Sequence, residues 1–121
     1  MRLISFSLTA EQVRARTKTV TRRLGWCNAR PGERLVACLK VMGRRKDEPL
    51  VRLAVIELVE VRRESLHSLT GGSYTDRMAK RECAREGFPQ MSARQFVEFF
   101  CREMKCPPAT QVTRLEFKYV D

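Results

Sequence analysis

The densest group of side chains able to do chemistry lies between residues 14 and 26: Arg14, Arg16, Lys18, Thr19, Thr21, Arg22, Arg23 and Trp26. A guanidinium takes two phosphate oxygens at once, so Arg22 and Arg23 read as phosphate clamps. Trp26, close behind them, reads either as a platform on which a base stacks or as the largest core residue, and the residues alone leave both open. Other candidates are weaker. Thr70-Gly71-Gly72-Ser73 lacks the lysine and helix context of a phosphate loop, which sets nucleoside-triphosphatase chemistry aside. Five cysteines, at 27, 38, 83, 101 and 106, form no Cys-x-x-Cys pair, and His67 is the one histidine. That odd set reads as reduced thiols, with no metal and no cofactor expected. Arg44-Arg45-Lys46 reads as a solvated hairpin tip.

Charge points the same way as the basic cluster. The 121 residues carry 24 Lys plus Arg against 14 Asp plus Glu, a net of +10, and 18 of the basic residues are arginine. Residues 1–63 hold 15 basic and 6 acidic side chains, residues 64–121 hold 9 and 8. A basic half beside a neutral half predicts one positive face, the footprint of a polyanion binder. Nothing approaches the length of a membrane helix, and the first residues lack the pattern of a signal peptide. The expectation is a cytoplasmic protein with no membrane partner, one domain over 1–121.

Several elements must position these side chains. Residues 2–7 alternate as a strand, and Thr9 with Gln12 reads as the capping box of a helix from Ala10 to about Arg16. The β-branched run at 19–21 favours an extended chain. Pro31-Gly32 makes a turn into a strand from Arg34 to about Met42, and a long strand from Leu50 to Arg63 changes parity near Val55 and Ile56, where a bulge is expected. Ser65–Leu69 reads as a turn and residues 70–73 as a loop. A helix from Thr75 or Asp76 to Arg85 ends at Gly87, and a second, capped by Ser92 with Gln95, carries Phe96, Val97, Phe100 and Met104 on its apolar stripe. A final strand, Gln111 to Val120, turns Leu115, Phe117 and Tyr119 inward. The class is α+β: a small mixed β-barrel or curled sheet with short helices at its rim.

At this point the residues resemble a family. Arg16-Thr17-Lys18-Thr19-Val20-Thr21-Arg22-Arg23 resembles the ASCH-domain signature. The Pro31-Gly32-Glu33-Arg34-Leu35 turn, the Glu82–Phe88 segment and the Val112–Tyr119 strand follow in the order that family has. The likeness runs over nearly the whole chain and is to the compact ASCH proteins of bacteria and their phages. It implies a PUA-like barrel whose cleft binds RNA or a nucleotide. Some small members remove the acyl group of N4-acetylcytidine with a Thr, a Lys and a Glu, and the motif carries those roles to Thr21, Lys18 and Glu86. A lysine of lowered pKa can activate the hydroxyl, and a carboxyl in an apolar setting can protonate the leaving amine. In a regular strand residues 18 and 21 face opposite sides, so the set requires a turn or bulge between them. Glu82 is the near competitor of Glu86.

Two functions follow. A binding domain would hold RNA through Arg16, Lys18, Thr19, Arg22, Arg23 and Trp26, and the net charge favours it, because each phosphate neutralised adds affinity. An RNA- or nucleoside-directed hydrolase, an amidohydrolase or a ribonuclease, would work through Lys18, Thr21 and Glu86.

Overall fold

A computed structural model describes residues 1–121. The strands are β1 (Arg2–Ser5), β2 (Val20–Arg23), β3 (Arg34–Cys38), β4 (Arg52–Ser65) and β5 (Gln111–Tyr119). The helices are α1 (Ala10–Arg14), α2 (Ser68–Gly71), α3 (Asp76–Arg85) and α4 (Ala93–Met104). All five strands form one sheet in the order β1-β3-β4-β5-β2, with β1 and β3 parallel and the other pairs antiparallel. The sheet curls into a half-barrel, and an Arg23 guanidinium donating to the Ser5 carbonyl at 2.5 Å ties its two end strands together.

Alternation along the strands builds two cores. Ile4, Leu35, Ala37, Ala54, Ile56, Leu58, Leu115 and Phe117 point into the barrel, where Phe6 and Val13 of the first loop and helix join them. Val112, on the opposite face of β5, packs with Leu66, Leu69 and the apolar stripes of α3 and α4: Ala79, Cys83, Phe96, Val97 and Phe100. Beneath the helices, the outer face of β5 and β2 is therefore covered as well, so Arg114 and Arg22 are buried although the alternation of β5 predicts one wet face.

Local chemistry decides most ends. Ser92 and Gln95 form the expected capping box of α4, each side chain accepting from the other's backbone amide. Gly87, at φ +103°, ends the α3 segment in a conformation that residues with a Cβ avoid. Other expectations are corrected. The Thr9 side chain makes no capping bond. Gln12 instead donates to the Gly87 carbonyl at 3.1 Å, a tertiary contact that displaces the local one. Helix α1 stops at Arg14 because Arg16 turns left-handed, at φ 61°. The long strand shifts register between Leu58 and Glu60, not at Val55 and Ile56. Ala54 is the inward residue that keeps parity through that point, and its small side chain hid the pattern. Residues 68–71 form a helical turn. Met104 is 41% exposed and leaves the core stripe.

Candidate functional site

Lys18 sits between α1 and β2, where the left-handed turn at Arg16 has broken the helix and the strand has not begun. Strand alternation does not apply to it. Its carbonyl accepts the Tyr119 hydroxyl at 2.6 Å, and the next amide, that of Thr19, bonds the Arg85 carbonyl at 2.9 Å, so the loop is pinned from two sides. Lys18 and Thr21 consequently line the same pocket, as does Glu86. All three are almost wholly buried. Lys18 Nζ donates to Glu86 Oε1 at 3.0 Å and to the Glu86 carbonyl at 2.5 Å. Glu86 follows α3 directly and is held from behind by Arg22 Nη1, 3.0 Å from Oε2.

The pocket has a volume of about 210 Å³ and two unlike walls. Phe6, Phe88, Phe96, Phe99 and Phe100 supply the apolar wall, with half-exposed Leu8 and Met104 also lining it. Lys18, Thr21, Arg22, Arg23 and Glu86 supply the polar wall. Burial pushes the Lys18 ammonium below its ordinary value, against the pull of Glu86, which favours the charge. Arg23 is half-buried and forms no ion pair: Nε donates to Thr21 Oγ1 at 2.9 Å and the guanidinium lies 4.7 Å over the Phe6 ring. Burial lowers its pKa to about 10, with Glu86 opposing. Arg23 is the cation of the polar wall that faces the pocket without a carboxylate of its own.

Arg22 is different. Its side chain is fully buried and bound by Glu64, Glu82, Glu86 and Tyr74, which occupy all three guanidinium nitrogens. Burial disfavours its charge, but the carboxylates of Glu86, Glu64 and Glu82 outweigh that and hold its pKa above the usual arginine value. The fork that the sequence offered to a phosphate is spent inside the protein, a correction to its role as an open clamp. The other basic candidates lie off the pocket. Arg16 is exposed and bridges to Asp121 at 2.9 Å while stacking over Tyr119. Thr19 is half-buried and bonds by its backbone to Phe117. Trp26 is neither pocket platform nor full core residue: half-buried, it packs against the barrel core, and Arg2 stacks on it at 4.8 Å.

Of the two competing glutamates, Glu82 faces away from the pocket. It bridges Arg22 Nη2 and Arg114 Nε, both at 2.6 Å, and anchors α3 to the sheet. Sequence reasoning missed Phe6, Leu8, Phe99 and Met104 as lining residues. Phe99 lies one position outside the buried stripe of α4, and a single offset residue carries no signal by itself. No three His, Cys, Asp or Glu side chains gather as a metal would require.

A curled mixed half-barrel with helices over one side makes this an α+β fold, and Lys18, Thr21 and Glu86 lie in the pocket where the two layers meet. Comparison of the whole chain with solved structures identifies the fold as that of ASCH domains. The crystal structure of an ASCH domain from Lactobacillus crispatus JV V101 superposes with a TM-score of 0.58 over 98% of this chain and 78% of that one, at 14% identity. That of a DUF984-family protein from Enterococcus faecalis V583 gives 0.65 over 99% and 80%, also at 14% identity. No protein-family model and no curated protein matches the sequence. No helix is long and apolar enough to cross a membrane.

Proposed function

We propose that the chain is a nucleic-acid-binding domain that takes one base or nucleotide of an RNA into the pocket formed by β1, β2, Glu86 and α4. The carrying observation is the pairing of the phenylalanine wall with Arg23, a cation that forms no ion pair. Aromatic faces take a base by stacking, and a guanidinium without an ion-pair partner in a dry setting donates to its phosphate or carbonyl oxygen. A volume of about 210 Å³ suits a base better than a larger ligand, since pockets for drug-sized molecules measure roughly 300–1,000 Å³. The test is binding of short single-stranded RNA across a salt series. Affinity falls as salt rises, and Arg23→Met weakens it about tenfold, the loss of one charge-assisted contact. An RNA panel giving no salt-sensitive complex overturns the reading.

One observation favours a second reading, hydrolysis of an N4-acylated cytidine, the activity implied by the resemblance. Lys18, Thr21 and Glu86 share the pocket, and Lys18 and Glu86 are in hydrogen-bond contact. In this reading neutral Lys18 takes the Thr21 proton as Oγ1 attacks the acyl carbon, and the amide C–N bond breaks with the threonine ester left behind. The proton passes through Glu86 to the departing amine, and water then hydrolyses the ester. Arg23 Nε, already bonded to Oγ1, orients the hydroxyl and favours the loss of its proton to Lys18. Acetate release from N4-acetylcytidine that disappears in Thr21→Val supports it; wild-type protein without turnover overturns it and leaves the binding reading intact.

A further inference from the structure

Cys101 and Cys106 stand apart from the pocket residues and from the other three thiols. Helix α4 ends in a left-handed residue, Lys105 at φ 52°, whose amide bonds the Cys101 carbonyl. The Cys106 amide bonds the same carbonyl at 3.2 Å. That six-residue closure is a Schellman motif, in which the residue after the left-handed turn comes to rest on the side chain five positions earlier. Here those two positions are both cysteine. Each is partly exposed, and each packs on the rim of the second core. Beyond them Pro107-Pro108 stiffens the chain, and the His67 amide bonds the Pro108 carbonyl at 2.9 Å, which fixes where Cys106 sits.

We propose that Cys101 and Cys106 form a dithiol that a small-molecule disulfide oxidises reversibly to an intramolecular disulfide. The helix end already folds the backbone of Cys106 back onto that of Cys101, so closure asks for no unwinding of α4. The reaction is two exchanges with a disulfide such as glutathione disulfide. The Cys106 thiolate attacks one sulfur of the reagent, giving a mixed disulfide and one glutathione thiol. The Cys101 thiolate then attacks Cys106 Sγ and releases the second. Two protein thiols are oxidised, one glutathione disulfide is reduced to two thiols, and the two protons end on them. Burial, reinforced by the neighbouring Cys106, pushes the Cys101 thiol up, which disfavours it as the first attacker and leaves that step to Cys106. The other cysteines are internal controls. Cys38 and Cys83 are buried, and Cys27 is exposed and alone.

The experiment treats the folded full-length protein with glutathione disulfide, quenches with acid and digests without reduction. Trypsin cuts after Arg102 and after Lys105, so the new bond links the 95–102 peptide to the 106–114 peptide, lighter by two hydrogens than their sum. Cys27 carries a glutathione adduct, the circular-dichroism spectrum is unchanged, and dithiothreitol restores the starting thiols. In Cys101→Ser the exchange stops halfway and glutathione stays on Cys106; Cys106→Ser gives the mirror result on Cys101. The proposal is overturned if both thiols stay free while Cys27 reacts, or if wild-type protein keeps glutathione on either one.

Discussion

At the scale of single residues, the pocket rests on an asymmetry between Lys18 and Glu86. Glu86 is the only carboxylate within reach of Lys18, whereas Glu86 itself is also held by Arg22. Removing one partner of a buried pair is costly mainly when the group left behind has no other counter-charge. Lys18→Met leaves Glu86 on Arg22 and puts an apolar chain in a dry site, so the loss of stability stays below about 1.5 kcal/mol. Glu86→Ala strands the Lys18 ammonium and opens a gap behind it, for a loss of roughly 3–5 kcal/mol. Urea unfolding followed by the fluorescence of Trp26 reads both, and equal losses would contradict the arrangement. At this scale the sequence was most legible where a motif is contiguous. Lys18 and Thr21 could be picked out because they stand three residues apart. The engagement of Arg22 could not be seen, because its carboxylates come from Glu64, Glu82 and Glu86, 42 to 64 positions away.

Among the elements, the junction of α3 with α1 fixes where Glu86 points. Gly87 follows Glu86 at φ +103°, and a Cβ there would meet Gln12 Cγ at 3.0 Å. Gly87→Ala therefore carries backbone strain and pushes away the side chain that bonds the Gly87 carbonyl. The expected loss is about 2 kcal/mol, from a left-handed conformation forced on alanine plus a disturbed hydrogen bond. Gly71 is the control: it sits at ordinary φ at the end of α2, and an added Cβ meets nothing within 4 Å. Gly71→Ala is neutral or slightly stabilising by thermal melting, and the gap between the two variants separates backbone strain from a general dislike of larger side chains. The helix ends were readable for the same reason as Gly87, since Ser92 with Gln95 and Gly87 act within a few residues of themselves. The parallel pairing of β1 with β3 and the bulge at Val59 were not. Register between distant strands depends on side chains such as Ala54, too small to mark a face.

On the scale of the whole molecule, the lopsided charge of the sequence folds back on itself. Lys18, Arg22 and Arg62 of the basic half are met by Glu64, Glu82 and Glu86 of the neutral half, so much of the excess near residues 16–23 is neutralised inside. The register explains why these acids are needed. Arg22 and Arg62 both lie directly opposite Arg114, on either side of it, making a row of three arginines across β2, β5 and β4. Like charges facing each other across strands repel, and this row closes only because Glu82 reaches down from α3 to Arg22 and Arg114, with Glu60, Glu64 and Glu116 around the edge. Burial opposes the ionisation of Glu82, but the hydrogen bonds and charges of Arg114 and Arg22 outweigh it and bring its pKa from 4.5 down to about 2. A carboxylate held down in this way stabilises the fold fully above the unfolded value near 4.5. It loses that contribution as pH falls toward about 2. The shift is worth on the order of 3 kcal/mol, and its loss coincides with the return of repulsion within the arginine row. Glu82→Gln is therefore expected to be less stable than wild type at pH 6, with the difference shrinking steadily between pH 4.5 and pH 2 as the wild type protonates. Should the variant be too unstable to compare, the Glu82 carboxyl resonance of wild-type protein, followed by NMR down to pH 2, provides the same test. Titration at the ordinary glutamate value would mean that Glu82 does not lock the helices to the barrel.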